Sequence, residues 1–221
     1  MKNKGFIYAT AILIICVGSM NETKAQDGKL GFRFMPTFTS FEITTPDDET
    51  LRGEFTVSYG YGGLIGIYFS DHFGFQGEVI YSSLAQKYSR AEFEGRVELD
   101  YINIPLLLSY NSGLQENVNF NIVAGPQIGI NVGSEVNKIG DDTYEALVSV
   151  KKSDLGLAYG AGFDFGLNSE GTFRLDLGFR GVIGLVDISD NSGTQETDSY
   201  YILRKSNLNT YAGYAGLSFL F

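Results

Sequence analysis

The chain has 221 residues with 28 glycines, 17 phenylalanines, 14 tyrosines, four prolines, one cysteine and no tryptophan, at a formal net charge of −10. Such acidity excludes nucleic acid as a partner, because a phosphate backbone would be repelled. Glycine and aromatic richness with scarce proline suits many strands in one domain, and no apolar run downstream of the leader is long enough for a spanning helix.

The first 25 residues read as a secretory signal peptide. Lys2 and Lys4 precede an apolar stretch from Phe6 to Gly18, and a polar segment ends Thr23-Lys24-Ala25. The apolar stretch is shorter than the roughly 20 residues a spanning helix needs. Cleavage is expected after Ala25, leaving 26–221 as the folded domain. Cys16 has Ile14-Ile15 ahead of it, where a lipoprotein signal wants small residues. The mature chain then holds no cysteine and no disulfide.

Period-two alternation recurs from there to the end. It predicts eight strands near 29–44, 52–69, 73–90, 96–110, 118–136, 153–168, 172–188 and 199–221. In the seventh, Phe173, Leu175, Leu177, Phe179, Ile183 and Leu185 share one face, while Thr172, Arg174, Asp176 and Arg180 share the other. Three connections are short: Ser70-Asp71-His72, Asn111 to Asn117, and Asn168 to Gly171. The others, near 45–51, 91–95, 137–152 and 189–198, read as longer and acidic. A strict alternation of short and long connections suits an outer-membrane barrel with tight periplasmic turns, and an even strand count returns the chain to its starting side. Phe69, Phe73, Phe75, Tyr110, Phe120, Phe165, Phe173, Phe219 and Phe221 would form an aromatic girdle at the inner rim.

The chain closes on Tyr214-Ala215-Gly216-Leu217-Ser218-Phe219-Leu220-Phe221. An apolar strand left bare at its end invites aggregation, but closure and lipid would cover it. Tyr214, Gly216, Phe219 and Phe221 therefore read as a carboxy-terminal signal for the barrel-assembly machinery. The expected fold is all-β, an eight-stranded antiparallel up-and-down transmembrane barrel, monomeric, exported to the outer membrane of a Gram-negative envelope and surrounded by its lipid. A water-soluble lipocalin-type barrel shares the alternation but buries the opposite face. Pro105 and Pro126 fall inside the fourth and fifth strands, where every amide should join a ladder, so bulges are expected there.

Leu99-Asp100-Tyr101-Ile102-Asn103-Ile104-Pro105-Leu106-Leu107-Leu108 resembles the fourth-strand motif of the PorT-like outer-membrane β-barrel family, and Ala124-Gly125-Pro126-Gln127-Ile128-Gly129 its fifth strand. Gly160 to Phe165 and Gly213 to Phe221 also fit, so the resemblance spans essentially the mature chain. It implies a small barrel akin to the OmpA/OmpX type and makes the prolines family features. It implies no reaction. One branch of the family is associated with protein secretion across the outer membrane.

Eight strands leave an interior that side chains nearly fill. Arg33, Glu78, Asp164, Arg174, Asp176 and Arg180 on the polar registers are expected to form a charged lumen network, either a structural plug or a path for protons or ions, since buried charges must be partnered. His72, the sole histidine, falls in a tight inner turn, and no base or nucleophile pair accompanies it, so no enzyme, cofactor or catalytic site is expected. The loop acids Asp47, Asp48, Glu49, Glu92, Glu94, Asp141, Asp142, Glu145, Asp187, Asp190, Glu196 and Asp198 read as a solvated surface. The run Asp187 to Gly193 carries oxygen donors but misses the calcium-loop spacing, so no metal site is expected. Tyr144, Leu147, Val148, Val150, Tyr200 and Tyr201 would either meet an extracellular or envelope protein partner or pair in a collar above the membrane. A plugged structural or surface-interaction barrel, a narrow channel for ions or very small solutes, and a secretion accessory are the functions left open.

Overall fold

A computed structural model describes residues 27–40, 42–44, 50–52, 56–90, 93–139, 145–147, 151–188, 199–201 and 208–221. The segment read as a signal peptide lies outside them. Eight strands form the wall: β1 (Asp27–Ser40), β2 (Val57–Tyr68), β3 (Phe73–Arg90), β4 (Phe93–Asn111), β5 (Val118–Ile139), β6 (Ser153–Gly166), β7 (Phe173–Gly184) and β8 (Asn209–Leu220). Each is antiparallel to its neighbours in sequence, and β8 pairs with β1 to close the barrel.

Alternation decides which side faces out. Along β2, Tyr59, Tyr61, Ile65 and Ile67 are exposed while Ser58, Leu64 and Tyr68 are buried. The same division runs around the barrel, with Phe32, Phe34, Phe75, Leu106, Phe163 and Leu217 outside. Charged groups fill the inside: Lys29, Arg33, Glu78, Asp164, Arg174, Asp176 and Arg180 are all buried. A water-soluble barrel would carry the reverse arrangement. Around the end that carries both termini, Phe69 lies against Phe75, Phe73 against Tyr110, Phe120 against Phe163, and Phe219 against Phe221. Towards the distal end Tyr61 meets Tyr81, and Phe179 stacks with Tyr211. The wall thus carries aromatics at both heights, as an interfacial belt requires.

Three expectations from the sequence need correction. The connection near 91–95 is not long: β3 and β4 meet across 91–92 alone, with Arg90 opposite Phe93. Glu92 and Glu94 interrupt the apolar pattern there, but strands that rise above a bilayer have no lipid face to keep apolar, so polarity stopped marking a loop. The predicted first and last strands are also divided. Glu42–Thr44 leaves the wall to pair with Thr50–Arg52, and Ser199–Tyr201 pairs in parallel with Glu145–Leu147. That second pairing joins the third and fourth distal connections, with Tyr200 opposite Ala146 and Tyr201 opposite Leu147. Tyr144, Val148 and Val150 lie outside the described residues, as do most of the loop acids.

The third correction concerns the prolines. Neither sits in a bulge. The register shift lies at Asp100/Tyr101, where Val132 of β5 is the extra residue. At Pro105 and Pro126 the ladder keeps its register and drops rungs, because a residue without an N–H has nothing to donate.

Candidate functional site

The lumen is organised by one row of facing positions. Arg33 is opposite Gly216, Gly216 opposite Asp176, Asp176 opposite Asp164, and Asp164 opposite Asn119, so the row crosses five consecutive strands from β1 to β5. Two carboxylates directly opposite each other repel. Lys29 resolves the conflict by reaching in from β1: its Nζ lies 3.2 Å from Asp164 Oδ2 and 3.0 Å from Asp176 Oδ1. Asn119 donates to Asp164 Oδ2 at 2.9 Å, and Arg174 Nε donates to Asp164 Oδ1. Ser218 adds a longer contact to Asp176, at 3.4 Å.

A second knot lies on the distal side of the first. Glu78 accepts from Arg33 Nη1 at 2.8 Å and from Arg180 Nη2 at 2.9 Å, and Gln76 Nε2 also donates to it. Arg33 connects the knots, with its Nη2 3.7 Å from Asp176 Oδ2. Its guanidinium lies over the Tyr214 ring, 4.4 Å from the centroid, which adds cation–π stabilisation. Gly216 makes the crossing possible. A Cβ there would come within 2.7 Å of Arg33 Cγ and 2.6 Å of the Phe32 carbonyl oxygen.

The end with the termini is stoppered. Leu114, in the turn between β4 and β5, is buried with Tyr68 and Leu220. Arg174 fastens that turn by donating to the Glu116 carbonyl at 2.6 Å and ties it to the turn between β6 and β7 by donating to the Gly171 carbonyl at 2.9 Å. Gly171 itself holds φ +68°, a left-handed turn position that suits glycine. Towards the distal end the lumen keeps a small cavity of about 40 Å3, lined by Met35, Ile80, Leu84 and Val182 together with Ser82, Asn103 and Gln127. Arg180 and Glu78 also contribute to its lining.

All six charges picked out from the sequence therefore lie in one buried cluster. Lys29 was missed, although it stands four residues before Arg33 on the same register. The four residues of the carboxy-terminal motif do not share a face: Tyr214 and Gly216 are buried in the lumen, while Phe219 and Phe221 point outward. Even and odd positions of one strand must separate in this way. His72 sits at the terminal rim, its Nδ1 3.0 Å from the Asn111 carbonyl oxygen and its ring stacked on Tyr110. Among the described residues no group of three or more His, Cys, Asp or Glu is placed to hold a metal ion.

A closed antiparallel wall, apolar outside and charged inside, is the geometry of a barrel in lipid. The family model described as "Outer membrane protein beta-barrel domain" matches residues 25–190. The chain belongs to this outer-membrane β-barrel family. Among solved structures, OprG from Pseudomonas aeruginosa is similar at a TM-score of 0.61 and 16% identity, over 90% of this chain and 97% of that one. AlkL, determined in lipid bilayers, is similar at a TM-score of 0.51 and 15% identity, over 91% of this chain and 97% of that one. Both likenesses are of fold. No curated protein matches this outer-membrane barrel in sequence. Family membership implies the outer membrane as its location.

Proposed function

We propose that the protein is a plugged, non-conducting outer-membrane barrel with a structural or surface-interaction role, carried by its acidic distal loops. The observation that carries this reading is the pair of ion-paired knots across the lumen, linked through Arg33 and Tyr214 and backed by the Leu114 stopper. An axial ion path would have to part charges that lack water to replace their partners, at several kcal/mol for each. The acids of the distal connections would keep that surface solvated and extended, and the paired segments 145–147 and 199–201 offer a fixed edge for an extracellular or envelope protein. No catalytic role is proposed, since the one histidine is occupied at the rim.

Export would follow from cleavage after Ala25, and assembly from recognition of Tyr214, Gly216, Phe219 and Phe221 by the barrel-assembly machinery. The PorT-like assignment, and with it an accessory role in secretion, rests on the Leu99–Leu108 and Ala124–Gly129 motifs. Planar-bilayer recording of the purified protein tests the plug. A silent bilayer with inserted barrel is expected, and a stable, reproducible current would replace the plug with a narrow channel. Crosslinking on intact cells followed by affinity capture tests the interaction role, and consistent recovery of secretion components would favour the accessory reading.

A further inference from the structure

The two knots do not carry equal charge. In the first, Lys29 and Arg174 face Asp164 and Asp176, two cations against two anions. In the second, Arg33 and Arg180 share Glu78, so among the described residues one positive charge is in excess there. Arg33 Nη2 lies 3.7 Å from Asp176 Oδ2, which joins the knots without adding an anion. The Tyr214 ring beneath Arg33 softens the excess but carries no net charge. All seven charged groups are buried, and a buried charge without a counter-charge is strongly disfavoured.

The excess borders the distal cavity. Arg180, 3% exposed, lines it and commits both Nη atoms to Glu78, at 3.4 and 2.9 Å. Its Nε has no hydrogen-bond partner, and neither has the Nε of Arg33. Elsewhere in the lining the polar groups form a directed chain. Gln127 Nε2 donates to Asn103 Oδ1 at 3.2 Å, and Asn103 Nδ2 donates to Ser82 Oγ at 3.1 Å. A hydroxyl that accepts keeps its own proton to give, so Ser82 ends the chain as a donor in the wall of the cavity. Two carboxylates also line it. Glu78 already accepts from Arg33, Arg180 and Gln76. Asp154 is half-buried over Gly129, six residues along β6 from Gly160, the residue opposite Arg180.

We propose that the cavity is a binding site for one monatomic anion of the chloride class, held by Arg180 Nε and the Ser82 hydroxyl and neutralising the second knot. Size sets the limit. About 40 Å3 takes a single ion with a water beside it, since one water needs about 10–15 Å3, and it leaves no space for a phosphate or an organic acid. The anion is a structural counter-ion and not a permeant one, because the first knot and the Leu114 stopper close the lumen beneath it. This goes beyond the plugged-barrel reading, which stands whether or not an anion binds.

The mature protein folded in detergent supplies the test. Its unfolding temperature is measured in sodium chloride, sodium bromide and sodium gluconate at equal ionic strength, gluconate being too large for the cavity. Chloride and bromide should raise it over gluconate, by about 3–6 °C for each tenfold increase above half-saturation. Crystals grown in bromide should show one anomalous-scattering peak beside Arg180 and Ser82. Arg33→Met removes the excess charge without touching the cavity lining, so the chloride dependence and the bromide peak should both vanish. Should Arg33→Met fail to fold, Ser82→Val decides in its place: it fills the cavity, takes away the hydroxyl and leaves every charge intact, and it should abolish both signals. Equal unfolding temperatures in chloride and gluconate, a bromide crystal without the peak, or either signal surviving the substitution would overturn the site.

Discussion

Arg33 and Glu78 meet across the lumen at 2.8 Å although their strands, β1 and β3, share no ladder. Two arginines converge on that single carboxylate, the other being Arg180. Counting the buried charges among the described residues gives four cations, Lys29, Arg33, Arg174 and Arg180, against three anions, Glu78, Asp164 and Asp176. The imbalance makes the two partners unequal. Glu78→Gln leaves Arg33 and Arg180 facing a neutral amide and should cost about 3–5 kcal/mol, the range for stripping a buried partner. Arg33→Met leaves Glu78 paired to Arg180 and Asp176 paired to Lys29, so it should cost about 1–3 kcal/mol, mainly in lost packing and stacking. Urea unfolding in lipid vesicles, followed by circular dichroism, compares them. An Arg33→Met variant less stable than Glu78→Gln would refute this charge accounting.

Arg174 acts at the other knot and at the stopper. Arg174→Ala should lower the unfolding temperature in detergent without opening conductance, because the Arg33–Glu78–Arg180 knot remains beyond it. The turn 112–117 should exchange its amides faster, having lost the bond to the Glu116 carbonyl. A large new current from this variant would show that one ion pair, and not the layered plug, closes the lumen.

Gly216 is held to glycine by the side chain that crosses it. Gly216→Ala drives a methyl against Arg33 Cγ and the Phe32 carbonyl, and overpacking of this kind costs about 1–3 kcal/mol. Gly213, three residues earlier, has nothing within 4 Å of where its Cβ would stand. Gly213→Ala should therefore be close to neutral in the same unfolding assay. Equal destabilisation by the two would mean that strand propensity, not the Arg33 crossing, sets the glycine requirement.

Much of this architecture could be read from residues alone, because a two-sided wall writes its faces into alternate positions. Arg174, Asp176 and Arg180 could be assigned to the lumen from the apolar residues between them. Lys29 escaped because its strand begins only two residues earlier, where the alternation had too few members to recognise. The outer ends escaped for another reason: above the bilayer neither face must be apolar, so polarity at 91–95 reads as a loop, and one strand read over 199–221 hides the separate pairing of 199–201. The stopper was also hidden, since Leu114 is a single apolar residue in a polar turn, and its role depends on Tyr68 and Leu220 arriving from distant strands. The prolines marked an irregularity correctly, but the choice between a bulge and a broken ladder depends on neighbouring strands that no single segment encodes.

The last residue closes the barrel by its backbone as well as its ring. Phe221 N donates to the Gly28 carbonyl at 2.8 Å, and Gly28 N donates to the Phe221 carbonyl at 2.6 Å, sealing the β1–β8 seam. Its ring stacks with Phe219 on the outer face. These two roles separate by substitution. Deleting Phe221 removes both hydrogen bonds, together worth about 1–3 kcal/mol, and should slow refolding of the purified chain into vesicles. Phe221→Ala keeps the backbone bonds and loses only the ring, so refolding in vesicles should change little, whereas assembly in cells should fall if the machinery reads the aromatic end. Phe221→Tyr should restore that assembly. Normal assembly of Phe221→Ala in cells, scored by the fraction of barrel that resists unfolding before heating, would leave the seam as the only function of this residue.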